Sequence, residues 1–396
     1  MNDTTKQYIR ENLNADVPTL ALKKAPVGTD VSLALRQIEA RQLLRKKVPS
    51  WSENEDLFFP VHLSIEQCSS EASAQYKASL LQGHSFADLT GGLGVDTFFI
   101  SQHFNQTDYV ERQTELCELA KHNFSILKAN IMVWNERAEE YLKQCECKDC
   151  FFIDPSRRDE NGRKTVSIAD CTPDVAVLQN ALLQKATRVM VKLSPMLDIS
   201  KALKELSHVK EVHVVAVANE CKELLVVMER GHQGKSLFVC TNLLTNQPEL
   251  RFTQEEERLF PGRFANGVLN YLYEPNPAVM KSGCYKLLTG RYDVFKLHKN
   301  SNLYTSEKLI IDFPGRIFEV EGWAAYNKKV KQTLLRDVDK ASIAVRNFPL
   351  SVAELRKVMK IGDGDETYLF ATTLKGEEKV IIRARKPLIF CQGCQT

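Results

Sequence analysis

Two acids and three glycines at short spacing are the first residues in the chain able to do chemistry. Asp88 closes the apolar run SFAD, and the chain passes at once through Thr90, Gly91, Gly92 and Gly94 into an amphipathic stretch, 95–103. Glu111 closes the next apolar run, 108–110. This order predicts strand, loop, helix and second strand. Glycines in the loop allow positive φ and let the backbone approach a ligand, while the first N–H groups of the helix stay free. An acid ending the second strand is placed to accept hydrogen bonds from ribose hydroxyls. A glycine loop alone can serve only to pack a helix on a sheet, but the strand context and Glu111 together point to a nucleotide-like cofactor. The spacing is neither the GxGxxG of a dehydrogenase nor a GxxxxGKS/T phosphate loop, which disfavours NAD and ATP.

A second constellation follows the run FFID. Asp154 and Pro155 fall at the carboxyl end of a central strand, where open α/β sheets bind their ligands. Behind them comes a long polar loop with Arg157, Arg158, Arg163 and Lys164, and a loop of that length in a compact domain is usually functional. Asp154 is placed to accept a hydrogen bond from a nucleophile's N–H and the Pro155 carbonyl a second one. Arg157 or Arg158 suits bidentate binding of a phosphate. Lys192, in VMVKLSP, faces the same crevice and is equally suited to substrate or to an acid partner.

These residues need a sheet to hold them. Strand patterns recur at 86–89, 108–110, 131–133, 151–154, 188–193, 212–217 and 223–228, with helical stretches between the first six. Only ANECK joins the last two, too short for a parallel crossover, so the seventh strand is predicted to be reversed. Ahead of the sheet, residues 1–80 read as helical, at 4–13 and 31–47, with Ser69 or Ser70 capping a further helix. The cluster Arg41, Arg45, Lys46 and Lys47 suits either a helix C-terminus or an RNA contact. Beyond 231 come a strand, SLFVCTNLL, a capped helix start, TQEEERLF, and a helix PAVMKSGCYKLL opened by Pro277. The expected division is 1–80 helical, 81–232 catalytic, 233–320 α+β with a linker, and 321–396 a last module.

Composition excludes several classes. The 396 residues carry 53 basic against 50 acidic side chains, a net +3, so any nucleic-acid surface must be local. The polar N-terminus has no apolar core of a signal peptide, and no apolar run would span a bilayer. A cytoplasmic protein is expected. Its 11 cysteines then read as reduced thiols. Cys145, Cys147 and Cys150 with Cys391 and Cys394 do not make a four-ligand set at close range, and no metal is expected.

DLTGGLG, an acid ending the second strand, DPSRR ending the fourth and a reversed seventh strand resemble a class I S-adenosylmethionine-dependent methyltransferase, with its Rossmann-like seven-stranded sheet. LSIEQCSSEASAQYKA, DLTGGLGVD, DPSRRD, NECKELLVV and YEPNPAVMKSG are similar, more narrowly, to bacterial methyltransferases that carry ferredoxin-like and THUMP-like C-terminal domains. The resemblance implies S-adenosylmethionine as cofactor, its methionine part against Asp88, Thr90, Gly91 and Gly92 beside Gly94, and its ribose on Glu111. Arg137 stands where many relatives carry an acid, which leaves the adenine to Asn135 or the Ala138 backbone. Such enzymes often follow the fourth strand with an Asn or Asp, two prolines and an aromatic. Here Asp154 and Pro155 match, Ser156 and Arg157 do not, and an arginine can stack on a base instead. The THUMP-like module implies a structured RNA, tRNA or rRNA, gripped by Lys328, Lys329, Lys331, Arg336, Arg356, Lys357 and Lys360 near Tyr326, Tyr368 and Phe370. A methyltransferase of a small molecule or protein, or an RNA-binding protein without turnover, is the alternative.

Overall fold

Side-chain caps start the N-terminal helices. In a computed structural model describing residues 1–60, 62–157 and 168–388, Asn2, Asp16, Asp30 and Ser70 each accept a backbone N–H three residues on, opening α1 (Asp3–Glu11), α2 (Val17–Ala21), α3 (Val31–Lys47) and, after the short α4 (Pro49–Ser52) and α5 (His62–Gln67), α6 (Glu71–Leu80). Tyr8 and Ile9 of α1, Leu20 of α2 and Ala34 and Ile38 of α3 share one apolar cluster. Arg41 is neither a helix-end charge nor an RNA contact. Its buried guanidinium donates to the carbonyls of Ser52, Asn54, Glu55 and Leu57 at 2.8–3.0 Å, so the charge is satisfied by four backbone acceptors.

The chain divides into two units, 1–212 with 223–234, and 213–222 with 235–396. The first unit alternates β1 (Ser85–Asp88), α7 (Val95–Ser101), β2 (Gln106–Val110), α8 (Thr114–Ile126), β3 (Ile131–Trp134), α9 (Ala138–Gln144) and β4 (Lys148–Ile153). A two-residue pair, β5 (Ser156–Arg157) and β6 (Cys171–Thr172), precedes α10 (Val175–Lys185), β7 (Ala186–Leu193) and α11 (Ile199–Glu205). The hairpin β8 (Val209–Val217) and β9 (Glu220–Glu229) follows, its residues 213–222 counted with the second unit. Within this unit the order is β3-β2-β1-β4-β7-β9. Neighbours from β3 to β7 run parallel and β9 runs antiparallel to β7. The expected reversal is therefore present. Its cause is the turn Ala218-Asn219, both residues at positive φ, a geometry whose twist matches that of a hairpin.

The second unit adds strands the hydrophobic pattern does not assign to a sheet. β10 (Leu237–Leu243) lies beside β8 and pairs antiparallel with β11 (Leu250–Thr253), ahead of α12 (Gln254–Leu259). Thr253 and Glu256 close a capping box on α12. The helix opened by Pro277 is shorter than its pattern predicts: α13 (Pro277–Ser282) stops at Gly283, whose φ of +81° ends it. β12 (Tyr271–Pro275), α14 (Leu288–Arg291), β13 (Phe295–His298), β14 (Ser301–Ser306), β15 (Gly315–Ala325), α15 (Val330–Thr333), β16 (Ser342–Arg346), α16 (Val352–Met359), β17 (Tyr368–Thr373) and β18 (Lys379–Arg385) complete the chain. Their seven strands form one sheet, β13-β14-β12-β15-β18-β17-β16. Phe370 is 1% exposed, and Tyr368 packs on Phe318 with ring centroids 4.9 Å apart. Phe370 is a core aromatic, not a stacking surface for a base, and Tyr368 is partly buried against the same core. Among the described residues no helix is long and apolar enough to cross a membrane.

Two glycines of the loop after β1 are required for different reasons. A Cβ on Gly91 would stand 2.1 Å from the Tyr109 ring, whereas one on Gly92 meets nothing nearer than 3.8 Å and only the φ of +54° resists it. Gly91→Ala should therefore cost about 2–3 kcal/mol through overpacking and Gly92→Ala about 1 kcal/mol of backbone strain. Urea unfolding of the two variants measures that order, and equal losses would contradict the packing assigned to Tyr109.

Candidate active site

β1 delivers Asp88 to the end of the sheet with its carboxyl already engaged. The Thr97 hydroxyl donates to Oδ2 at 2.6 Å and the Thr90 N–H to Oδ1 at 3.0 Å. Burial pushes this acid up to about 7, only partly opposed by those two bonds. Thr90 turns its own Oγ1 to accept the Asp154 N–H at 2.7 Å, which couples the glycine loop to the end of β4. The Gly91 N–H bonds the Val110 carbonyl at 2.9 Å, the Tyr109 hydroxyl bonds the Gly92 carbonyl at 2.6 Å, and Gly94, at φ +85°, opens α7.

Glu111 is both a brace and an acceptor. Its Oε2 accepts the Gly92 N–H at 3.1 Å and its Oε1 the Gln113 N–H at 2.9 Å, and each oxygen retains a lone pair for a hydroxyl. Asn135 has both ends of its amide engaged: Nδ2 donates to the Glu111 carbonyl at 3.0 Å and Oδ1 accepts from the Thr114 hydroxyl at 2.8 Å. Its place is to tie β2 to β3. Ala138 begins α9 with its side chain buried.

At the strand ends the structure assembles something the residue patterns alone do not show. Lys192 Nζ lies 2.6 Å from Asp154 Oδ2 and 3.8 Å from Asp96 Oδ2. Asp96 Oδ1 lies 3.1 Å from Lys77 Nζ, which donates to both oxygens of Glu223 at 2.9 and 3.0 Å. Ser69 and Ser73 thread the chain. Each accepts from Lys77, at 2.9 and 3.0 Å, and each donates onward, to Asp96 Oδ2 at 2.7 Å and Glu223 Oε1 at 2.5 Å. The result is a continuous row, Glu223–Lys77–Asp96–Lys192–Asp154. Lys77 is wholly buried, Lys192 is 13% exposed and Asp154, at 38%, is the most exposed member of the row. Burial by itself would lower the Lys192 pKa, but Asp154, Asp96 and Glu223 hold it well above the ordinary lysine range. For Asp154 burial prevails over Lys192 and the acid is raised; for Asp96 the two lysines prevail over burial and it is lowered.

Of the two roles its position allowed, Lys192 takes that of an acid's partner, with a small part of its side chain still exposed. Lys77, Asp96, Glu223, Ser69 and Ser73 are members that motif reading does not single out. One signal was present: Ser73 and Lys77 are four residues apart, on one face of α6. Pro155 follows Asp154 at the strand end. Arg157 pairs through its backbone with Cys171, and Arg158, Arg163 and Lys164 lie outside the described residues, as do Cys391 and Cys394.

A protein of matching build is known. The crystal structure of a presumed methyltransferase from Porphyromonas gingivalis W83 superposes with a TM-score of 0.87 at 35% identity, over 96% of this chain and 97% of that one. The chain belongs to this methyltransferase family. Residues 271–314 match a family described as a ferredoxin-like domain and 315–386 one described as THUMP domain-like. The methyltransferase is similar in part to two further structures. One is an rRNA methylase from Streptococcus thermophilus, at 16% identity and TM-score 0.30 over 43% of this chain and 99% of that one. The other is M. capricolum TrmK in complex with S-adenosyl-homocysteine, at 12% and 0.32 over 40% and 68%. Likenesses so partial say nothing of what this chain acts on. Comparison with curated proteins gives no match.

Removing one lysine from the row leaves buried carboxylates uncompensated. Lys77→Met should destabilise the methyltransferase by about 3–5 kcal/mol. Adding Glu223→Gln should recover part of that loss, because neighbours in one network do not add. Chemical denaturation of the single and double variants tests both, and simple additivity would break the link assigned here.

Proposed function

We propose that this methyltransferase carries a methyl group from S-adenosylmethionine to a structured RNA, tRNA or rRNA, in the cytoplasm. The THUMP-like match over 315–386 carries the RNA reading, because such modules are relatives of domains that grip folded RNA. Within that region Lys328, Lys329, Lys357 and Lys360 are exposed, while Arg383 and Arg385 are spent on Asp337, Glu321 and Glu319. The exposed lysines are the side chains we assign to phosphates.

The loop after β1 fits the cofactor. The backbone at Gly92 is open to close approach, with nothing within 3.8 Å of where a Cβ would stand. Asp88, Thr90, Gly91, Gly92 and Gly94 surround the methionine part, Glu111 takes the ribose hydroxyls on its remaining lone pairs, and the Ala138 backbone meets the adenine, with Asn135 as brace. S-adenosylmethionine brings a methyl already activated by its sulfonium, so the protein's share is orientation. We assign Asp154 and the Pro155 carbonyl to the target atom, and Arg157 and Arg158 to the RNA.

Two measurements test this reading. An amino acid ammonium prefers Asp88 ionised, and the acid's raised value of about 7 means that below neutrality binding must first expel a proton. Calorimetric affinity for S-adenosylhomocysteine should then be roughly tenfold weaker at pH 6 than at pH 7.5, at about 1.4 kcal/mol per pH unit, and Asp88→Asn should flatten the profile. A pH-independent wild type would remove Asp88 from the ligand. RNA affinity should fall as salt rises, and Lys357→Ala with Lys360→Ala should shallow the log–log slope by about one for each phosphate left without its lysine. An unchanged slope would displace the RNA from α16.

A further inference from the structure

An RNA offers a methyl donor four kinds of nucleophile: exocyclic amines, ring nitrogens, ring carbons and hydroxyls. The strand-end geometry discriminates among them. An amine or ring nitrogen gains positive charge as it takes the methyl, and catalysis favours groups of opposite sign where charge develops. Here an ammonium, Lys192 Nζ, stands 2.6 Å from the Asp154 carboxylate at the crevice, and the two residues after Pro155 are Ser156 and Arg157 in place of a proline and an aromatic clamp. A carbon target calls for a thiolate to add to the ring. Cys68, the cysteine under the field of Asp96, Lys192 and Lys77, is pushed up to about 11, chiefly by burial, and its thiol bonds the Ile65 carbonyl.

A hydroxyl needs what the row supplies. It must lose its proton as it attacks, so it wants a proton acceptor on one side and a fixed cation on the other. Lys192 is such a cation, kept charged by Asp154 and Asp96. Asp154 accepts Lys192 through Oδ2 and keeps Oδ1 for a ligand. The row holds three carboxylates against two ammoniums. One proton taken up by Asp154 therefore removes an uncompensated negative charge from a buried site, where it is costly. Within an RNA strand the hydroxyl on offer is the ribose 2′-OH.

We propose that this methyltransferase acts on a ribose 2′-hydroxyl, with Lys192 and Asp154 as catalytic residues and Lys77, Asp96 and Glu223 as positioning residues. The proposal rests on the RNA reading above. The Lys192 ammonium donates to the 2′-oxygen, and the Asp154 carboxylate receives its proton. An oxygen lone pair forms the new O–C bond as the methyl's C–S bond breaks, with the bonding pair leaving on sulfur. Asp154 afterwards returns the proton to solvent. Lys77, with Glu223 and Asp96 around it, holds Asp96 against Lys192 and so fixes the angle at which the ammonium meets the oxygen.

The test uses the full-length enzyme, methyl-labelled S-adenosylmethionine and total RNA from a strain lacking the protein, followed by alkaline hydrolysis. A 2′-O-methyl group blocks cleavage at its own phosphodiester, so the expected label sits in alkali-resistant dinucleotides. Label in mononucleotides, on a base, overturns the hydroxyl assignment and leaves the RNA reading standing. No label in any RNA from enzyme that binds the cofactor overturns the RNA reading and this proposal with it. The label's position needs no variant, so it stands even where Lys192 substitutions unfold the protein. For folded variants, Lys192→Met should lower the single-turnover rate about 100-fold or more, the scale of losing one donor to a developing oxyanion. Lys192→Arg should restore part of that rate, and calorimetric affinity for S-adenosylhomocysteine should stay within about threefold in both. A Lys192→Met rate equal to wild type, or one that falls only as cofactor affinity falls, overturns the role of Lys192.

Discussion

A row of alternating charges, buried at one end and open at Asp154, is the interaction on which the catalytic unit depends. Each lysine in Glu223–Lys77–Asp96–Lys192–Asp154 stands between two acids. Such a row is held by geometry more than by net energy, because the cost of drying each charge nearly cancels the attraction, and only the complete set avoids an unpaired ion. Its members come from α6, the first turn of α7, the ends of β4 and β7, and β9. None of those elements can shift without stranding a charge. The position of the crevice relative to the glycine loop follows from this.

A second, neutral set of bonds reaches the same elements from the other side. Thr90 bonds both Asp88 and the Asp154 N–H, while Glu111 clasps the loop through Gly92 and the start of α8 through Gln113. The groups assigned to the ligand thus also hold the loop in shape before it arrives, which lowers the ordering cost of binding. Asp88 differs from the row in having no cation within it. Burial without a partner charge raises it to about 7, and a ligand bearing an ammonium would supply what the protein leaves out.

In the second unit the charges serve two ends. Glu274 is bonded by Arg316 and Arg346 across β12, β15 and β16, and Arg383 links β18 to Glu321 and Asp337. These arginines knit the sheet together, whereas the lysines of α16 and of the turn before α15 stand in solvent. Near-neutral total charge is therefore compatible with a local basic surface, since acids such as Glu274, Glu319 and Glu321 are taken up by arginines.

The local features were legible in the amino-acid order because they are set by near neighbours. Strand periodicity, the cap at Ser70, the glycine loop between Asp88 and Gly94, the acid at Glu111 and the reversal after ANECK each depend on a few consecutive residues and appear where the pattern puts them. Even the membership of the charge row lay in view, since Ser69, Lys77, Asp96, Asp154 and Glu223 all fall in the stretches that resemble the family. Their partnership did not. Lys77 and Glu223 stand 146 residues apart, Lys192 and Asp154 stand 38 apart, and no periodicity relates them. Arg41 looked like a helix-end charge and Phe370 like a surface aromatic for the same reason. Whether a charge meets solvent, a carbonyl or another charge is decided by which distant segments fold over it, and that is a property of tertiary packing alone.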